Sequence, residues 1–322
     1  MATLFKRIDP APRGLLAVER VALIYSLLTT VLIAVLYPRM DHPLRMVVER
    51  AVIAVGTLAL AGLHRLWPVR ALQLLRVAAQ VVLLSYWYPD TYEFNRCLPN
   101  LDHVFASAEQ WVFGTQPAVE FARLLPQQWV SELLNMGYAF YYPMMLIILL
   151  WFFVRKFHRF ERAAFVLVAS FFVYYVVFVF VPVAGPQFYF PAIGMDRVAQ
   201  GIFPAIGDYF NLHPDLPADA NGGHGLFYSL VEATQRVGER PTAAFPSSHV
   251  GVSTILMILS WRGGARRFFW LLMPFYVLLC LATVYIQAHY LIDAIAGLVT
   301  APLVYLLTDW IYRRGFCRTV AV

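Results

Sequence analysis

An all-α bundle of membrane-spanning helices is the fold this sequence predicts, and three observations predict it. Of the 322 residues, 60% are apolar and only 14% are charged, against roughly a quarter charged in ordinary soluble domains. The charges are clustered, which leaves apolar runs long enough to cross ~30 Å of hydrocarbon. Lys and Arg collect beside the ends of those runs. The same numbers exclude a disordered, collagen-like, coiled-coil or small disulfide-stapled chain. The net charge of +6 does not indicate a nucleic-acid partner, because the basic residues sit at span ends and form no long block.

Eight helical spans are expected, at Val21–Tyr37, Arg45–Leu63, Ala71–Tyr88, Val130–Val154, Ala163–Val181, Ser247–Trp261, Phe268–Ile286 and Leu291–Tyr312. Runs such as Phe171 to Phe178 have strand-like propensity. In hydrocarbon, however, each segment must satisfy its own backbone, so helix is preferred. Arg70 and Arg76 open the third span, where their stems are expected to snorkel to the near interface. Lys6, Arg7 and Arg13 precede the first span without a clean small-residue cleavage site, which reads as an uncleaved anchor. Sixteen Lys and Arg between Lys6 and Arg318 border the short inner loops. Eight (Arg39, Arg45, Arg50, Arg96, Arg123, Arg197, Arg236 and Arg240) are spread over far longer outer ones. The bias places both termini in the cytoplasm. Three regions are expected: a three-span segment at 1–88, an outer interfacial segment at 89–129, and a catalytic membrane core at 130–322.

Within the interfacial segment, Leu101, Val104, Phe105, Ala108, Trp111 and Val112 share one helical face, with Asp102, Glu109 and Gln110 off it. That pattern predicts a helix lying along the outer interface. The outer loop Val183–Pro246 is rich in Pro, Gly and Asp and carries an amphipathic piece near Leu226–Val237. Connections of that length are usually functional or disordered. Cys97, Cys280 and Cys317 show no metal or redox spacing.

Chemistry concentrates at two places. In Ala244-Phe245-Pro246-Ser247-Ser248-His249 the long loop becomes the sixth span. Pro246 suits the first position of a helix, and the amides of Ser247, Ser248 and His249 would then form an anion site fit for phosphate. In Gln287-Ala288-His289-Tyr290-Leu291-Ile292-Asp293, the spacing of four sets His289 and Asp293 on one helical face. There the carboxylate can bond one imidazole nitrogen and leave the other nucleophilic. Each motif alone also suits a capped helix start or a structural His–Asp pair. One span down and one back return both histidines to the same outer level, and together they favour a phosphoryl-transfer site. An ionisable Asp293 about a turn inside a span adds weight. His213 and His224 could join His249 at a metal only without any supporting motif spacing, and Gly222-Gly223-His224-Gly225 lacks the context of a nucleotide-binding loop. No metal and no cofactor is expected.

Phe245-Pro246-Ser247-Ser248-His249 and His289-Tyr290-Leu291-Ile292-Asp293 resemble the second and third signature motifs of the type 2 phosphatidic acid phosphatase superfamily. Two cations of the usual motifs are missing: Thr283 stands where an Arg precedes the third-motif histidine, and Val183-Ala184-Gly185-Pro186-Gln187-Phe188-Tyr189 occupies the place of the first motif. That Gly-Pro-aromatic segment, with His-Tyr-x-x-Asp, resembles the inositol phosphorylceramide synthase branch. Asp102, Glu109 and Phe113-Gly114-Thr115-Gln116-Pro117 resemble the same branch. The resemblance, over roughly Leu101 to Tyr312, implies that His289 attacks the lipid phosphorus to form a phosphohistidine and that Asp293 holds its ring. It implies that His249 is the general acid and base. Gly185, Pro186, Gln187, Tyr189, Ser247 and Ser248 are then the expected phosphate-binding set, and Arg240, six residues before Pro246, is a candidate for the lost positive charge.

The expected function is an integral-membrane phosphotransferase at the extracytoplasmic face, moving a phospho-headgroup from a phospholipid donor to a lipid or polyol acceptor. The alternatives are a lipid phosphatase acting on phosphatidate or a polyprenyl (di)phosphate, a metal-dependent intramembrane hydrolase, and a non-enzymatic lipid transporter or binding protein. The last is disfavoured by the absence of an internal repeat.

Overall fold

The computed structural model describes residues 4–9, 14–217 and 224–316; Arg13, Gly222, Gly223, Cys317 and Arg318 lie outside the described residues. The chain folds as α1 (Ala17–Leu36), α2 (Pro43–Leu66), α3 (Arg70–Val82), α4 (Leu84–Asn95), α5 (Asp102–Phe113), α6 (Pro117–Leu124), α7 (Gln128–Ala139) and α8 (Tyr141–Arg155). Then follow α9 (Phe157–Phe180), α10 (Pro186–Ile193), α11 (Met195–Ala199), α12 (Tyr209–Leu212), α13 (Leu226–Gly238), α14 (Ser248–Gly263), α15 (Arg266–Tyr285) and α16 (Leu291–Ile311). Among the described residues no strand forms beyond a single bridge between Arg7 and Val69.

Among the described residues six helices are long and apolar enough to cross a membrane: Ala17–Arg39, Pro43–Leu66, Gln128–Arg155, Phe157–Phe180, Arg266–Tyr285 and Leu291–Gly315. The protein is an integral membrane protein with an all-α bundle. Two of the eight expected spans fall short. The third is divided at Leu83 into α3, of 13 residues, and α4. The sixth, α14, has 16 residues and stops at Gly264, which takes the left-handed cap conformation at φ +88°. The aromatic residues of α9 form packed wall: Phe165, Phe171, Phe172, Tyr174, Tyr175 and Phe178 are all buried.

The chain divides into two compact units. The first comprises Met1–Trp87, Leu149–Val173 and Val304–Val322. Its α1, α2 and α3 are joined by a polar seam. On α2, Arg50, Thr57 and His64 recur every seven residues and so share one face. Arg50 donates to Thr29 Oγ1 at 3.2 Å, and Gln80 Nε2 to Thr57 Oγ1 at 3.2 Å. Arg76 does not snorkel. It is buried, with Nε and Nη2 donating to Glu19 at 2.7 and 2.5 Å and Nη1 lying 2.7 Å from His64 Nδ1. The sequence reading placed no anion near it, whereas the fold brings Glu19 across from α1, so the charge is neutralised in place.

The second unit comprises Tyr88–Ile148 and Tyr174–Leu303. Here α7 packs against α15 and α13 through Val130, Leu134, Tyr138, Val231, Ala282 and Ile286. Glu132 of α7 accepts the first-turn amides of Phe227 and Tyr228 at 3.1 and 2.8 Å. That carboxylate both caps α13 and favours its dipole. Helix α5 leaves part of its apolar face uncovered, but its acids are not left in water. Val104, Trp111 and Val112 are exposed, while Asp102 and Glu109 are fully buried. The apolar pattern correctly marks one face, but the acids are drawn inward by backbone amides that lack other partners.

Removing Glu19 leaves a buried guanidinium without its counter-charge, a loss of about 3–5 kcal/mol for such pairs. Glu19→Gln is therefore expected to lower the unfolding temperature of the detergent-solubilised protein markedly. The double change Glu19→Gln with Arg76→Met should recover much of the loss. Equal instability of the double variant would show that the pair is not coupled.

Candidate active site

Three irregular segments of the second unit are stitched together by main-chain hydrogen bonds. Ala244 N donates to Val183 O at 2.9 Å, Gln187 N to Gln287 O at 2.8 Å, and Ser247 N to Asp293 O at 3.0 Å. The sequence-predicted pieces around Gly185, Ser247 and His289 thus meet at one place. Asp102 anchors them: its carboxylate accepts from Ala184 N at 2.7 Å, Gly185 N at 2.8 Å, Asn100 Nδ2 at 2.6 Å and Tyr290 Oη at 3.0 Å. Glu109, seven residues on and on the same face of α5, accepts from Ile292 N at 3.2 Å in the first turn of α16.

His289 lies ahead of α16, in a turn, with its amide donating to Thr283 O at 3.0 Å. The helical-face geometry expected for His289 and Asp293 therefore does not arise, since it requires both residues inside the helix. The ring is oriented instead by a carbonyl: His289 Nδ1 is 2.8 Å from Ala244 O, whereas Asp293 Oδ2 is 3.8 Å away. A carbonyl can only accept, so Nδ1 carries the proton and Nε2 keeps its lone pair. Asp293 Oδ2 accepts from Tyr290 N at 2.8 Å. Burial pushes the His289 imidazole down to about 4, so it is neutral near pH 7.

His249, in the first turn of α14, faces His289 at 5.7 Å between ring centroids. Its ring stacks on Tyr138 at 4.7 Å and meets Tyr141 at 4.5 Å. Helix α14 begins one residue later than expected: Ser247 is the N-cap, with Oγ accepting from Val250 N at 3.4 Å, and Pro246 lies ahead of the cap. The Ser247 amide is taken up by Asp293 O. Only the amides of Ser248 and His249 lack an acceptor among the described residues, and they lie at the positive end of the helix dipole. The close approach of α16 to this turn requires Gly297, where a Cβ would meet Ser247 O.

The remaining expected residues divide. Gly185 and Pro186 form the start of α10 and hold position rather than present a polar side chain. Gln187 is buried, and its Oε1 accepts from Gln235 Nε2 at 3.2 Å. Tyr189 Oη donates to Pro204 O at 2.7 Å, so its only proton is committed elsewhere. Arg240 donates to Glu239 O at 2.9 Å and stands 4.0 Å from Asp215. Sequence reasoning missed the Ala244 carbonyl, Tyr138, Tyr141 and Glu239. Glu239 lies with His249 on the wall of a cavity of about 280 Å³. The carbonyl leaves no trace in side-chain patterns, and Glu239 sits in a connection without periodicity.

Burial raises the Glu109 carboxyl from its ordinary 4.5 to about 7, and the Asp102 carboxyl from 3.8 to about 6. In the unfolded chain Glu109 loses its proton near 4.5, while the folded protein keeps it until about 7. Over that window the folded state binds the extra proton, so stability falls as pH rises. Glu109→Gln retains an acceptor for the Ile292 amide and is expected to flatten the decline in unfolding temperature between pH 4.5 and 7. A variant declining as steeply as the parent would contradict this origin.

Comparison with protein-family models matches the PAP2 superfamily over residues 103–307, a stretch that contains both histidine motifs and the site just described apart from Asn100 and Asp102, which stand immediately before it. No curated protein and no solved structure matches the chain. Members of that superfamily are phosphatases or phosphotransferases acting on lipid phosphates, and the present protein is an enzyme of this kind. With the matched region covering well over half of its length, the chain belongs to the PAP2 superfamily.

Proposed function

We propose that the protein is a phosphotransferase that moves a phospho-headgroup between a phospholipid and a second alcohol at the extracytoplasmic face, with both termini in the cytoplasm. The reading rests above all on one contact, His289 Nδ1 to Ala244 O at 2.8 Å. It leaves Nε2 unprotonated and opposite a second histidine. In the first step Nε2 attacks phosphorus, the bond from phosphorus to the leaving oxygen breaks, and His249 gives that oxygen a proton. In the second step the acceptor hydroxyl returns a proton to His249, and its oxygen displaces His289. His249 Nδ1 is enclosed without a partner among the described residues, which supports Nε2 as the nitrogen that carries this proton. Asp293, 3.8 Å from the His289 ring, supplies negative charge as the ring becomes cationic. The Ser248 and His249 amides, with Gln187, are the oxyanion donors.

Transfer is favoured over hydrolysis by the residues that replace the family cations. Thr283 occupies the place of an Arg, its hydroxyl donating to Cys280 O at 2.8 Å. The Gly185–Tyr189 segment brings no charge. A site so poor in cations suits a phosphodiester with one negative charge better than a monoester with two. The motif resemblance to inositol phosphorylceramide synthase supports the same choice.

The test is the purified protein supplied with labelled phosphatidylinositol and ceramide. A new phospholipid is expected, whereas release of inositol phosphate alone would indicate hydrolysis. His289→Ala should abolish turnover without unfolding the protein. His249→Ala should slow it by about 10²–10⁴-fold, as for loss of a general acid–base, and let a phosphorylated enzyme accumulate for detection by mass spectrometry. Full activity in His289→Ala would overturn the covalent mechanism.

A further inference from the structure

The cavity beside His249 has a composition that a phosphate site would not have. Its walls come from α7, α8 and α13 and include Tyr138, Tyr141, Tyr142, Leu230 and Val231. Among the described residues no Lys or Arg lines it, and Glu239 is its one carboxylate. Tyr88 Oη donates to Glu239 Oε2 at 2.8 Å. Among the described residues Glu239 forms no ion pair. Burial raises its pKa while the Tyr88 bond opposes that rise. A carboxylate in such surroundings calls for a hydrogen-bond donor or a cation. The tyrosine faces suit the carbon skeleton of a polyol or, through their quadrupoles, an ammonium group. The volume, about 280 Å³, accommodates a headgroup and not a whole lipid.

We propose that this cavity is the subsite for the headgroup alcohol of the transfer reaction and that Glu239 determines its specificity, admitting alcohols that are uncharged or cationic and excluding those that bear a further negative charge. The headgroup's free hydroxyls or ammonium donate to Glu239, while its phosphodiester is directed to His249, which protonates the departing diacylglycerol oxygen; the bond from phosphorus to the headgroup oxygen stays intact. An added phosphate or carboxylate would be placed near Glu239 with no cation to receive it. The inference rests on the phosphotransferase reading but concerns a different group of residues.

The experiment uses the full chain in vesicles with two matched pairs of donors. One is phosphatidylinositol and its 4-phosphate; the other is phosphatidylethanolamine and its N-glutaryl derivative. The wild type is expected to favour the uncharged or cationic member of the pair it uses by tenfold or more. Glu239→Gln should reduce that preference to threefold or less. Thr234→Lys, which adds a cation at an exposed lining position of α13, should do the same even if Glu239→Gln fails to fold. Equal use of both members by the wild type, an unchanged ratio in a folded variant, or activity confined to phosphatidate would overturn the proposal. His289→Ala separates the two claims: its residual activity tests the phosphohistidine, whereas the donor ratio tests only the subsite.

Discussion

The buried carboxylate of Asp102 is the constraint on which the site depends. Three segments without regular structure meet in an interior where an unpaired amide costs as much as a lost hydrogen bond. One carboxylate accepts four donors there: two consecutive amides, a side-chain amide and the Tyr290 hydroxyl. Such charge-assisted bonds are roughly twice as strong as neutral ones. Once Ala184 and Gly185 are fixed, the rest follows along the chain. Val183 O takes the Ala244 amide, and Ala244 O takes the imidazole of His289. The tautomer of the proposed nucleophile is therefore set, through three links, by a residue of a different helix. Gly185 is required by this arrangement on two counts: its φ is +93°, and a Cβ would lie 2.7 Å from Ala288 O.

Much of this was legible in the sequence, and the failures have physical reasons. Apolar run length located the six long spans, because hydrocarbon thickness is a constraint on each segment alone. The two histidine motifs and their return to a common level were legible for the same reason, since a span down and a span back fix where the chain re-emerges. Contacts made across the fold by backbone were not legible. The Ala244 carbonyl displaced Asp293 as the partner of the His289 ring, a substitution no spacing rule could reveal. The apolar face of α5 was legible, but the burial of its acids was not. Burial of Asp102 and Glu109 is decided by amides in α10 and α16 that need acceptors, and hydrophobicity carries no information about them. Arg76 misled in the same way until Glu19 was brought beside it.

Electrostatics connects the departures from the family motifs with what the site can bind. A guanidinium carries a full charge, whereas a helix N-terminus offers the equivalent of about half of one. Two first-turn amides at α14 and an enclosed Gln187 can thus balance one negative charge on a phosphodiester, but leave the second charge of a monoester unmet. The carboxylate of Glu239 on the adjoining cavity wall acts in the same direction, since like charges in a medium of low dielectric repel strongly. The missing cations and the added anion are then a single adjustment of the site. On the function proposed above, it would select against substrates with excess negative charge while leaving the paired histidines and their geometry in place.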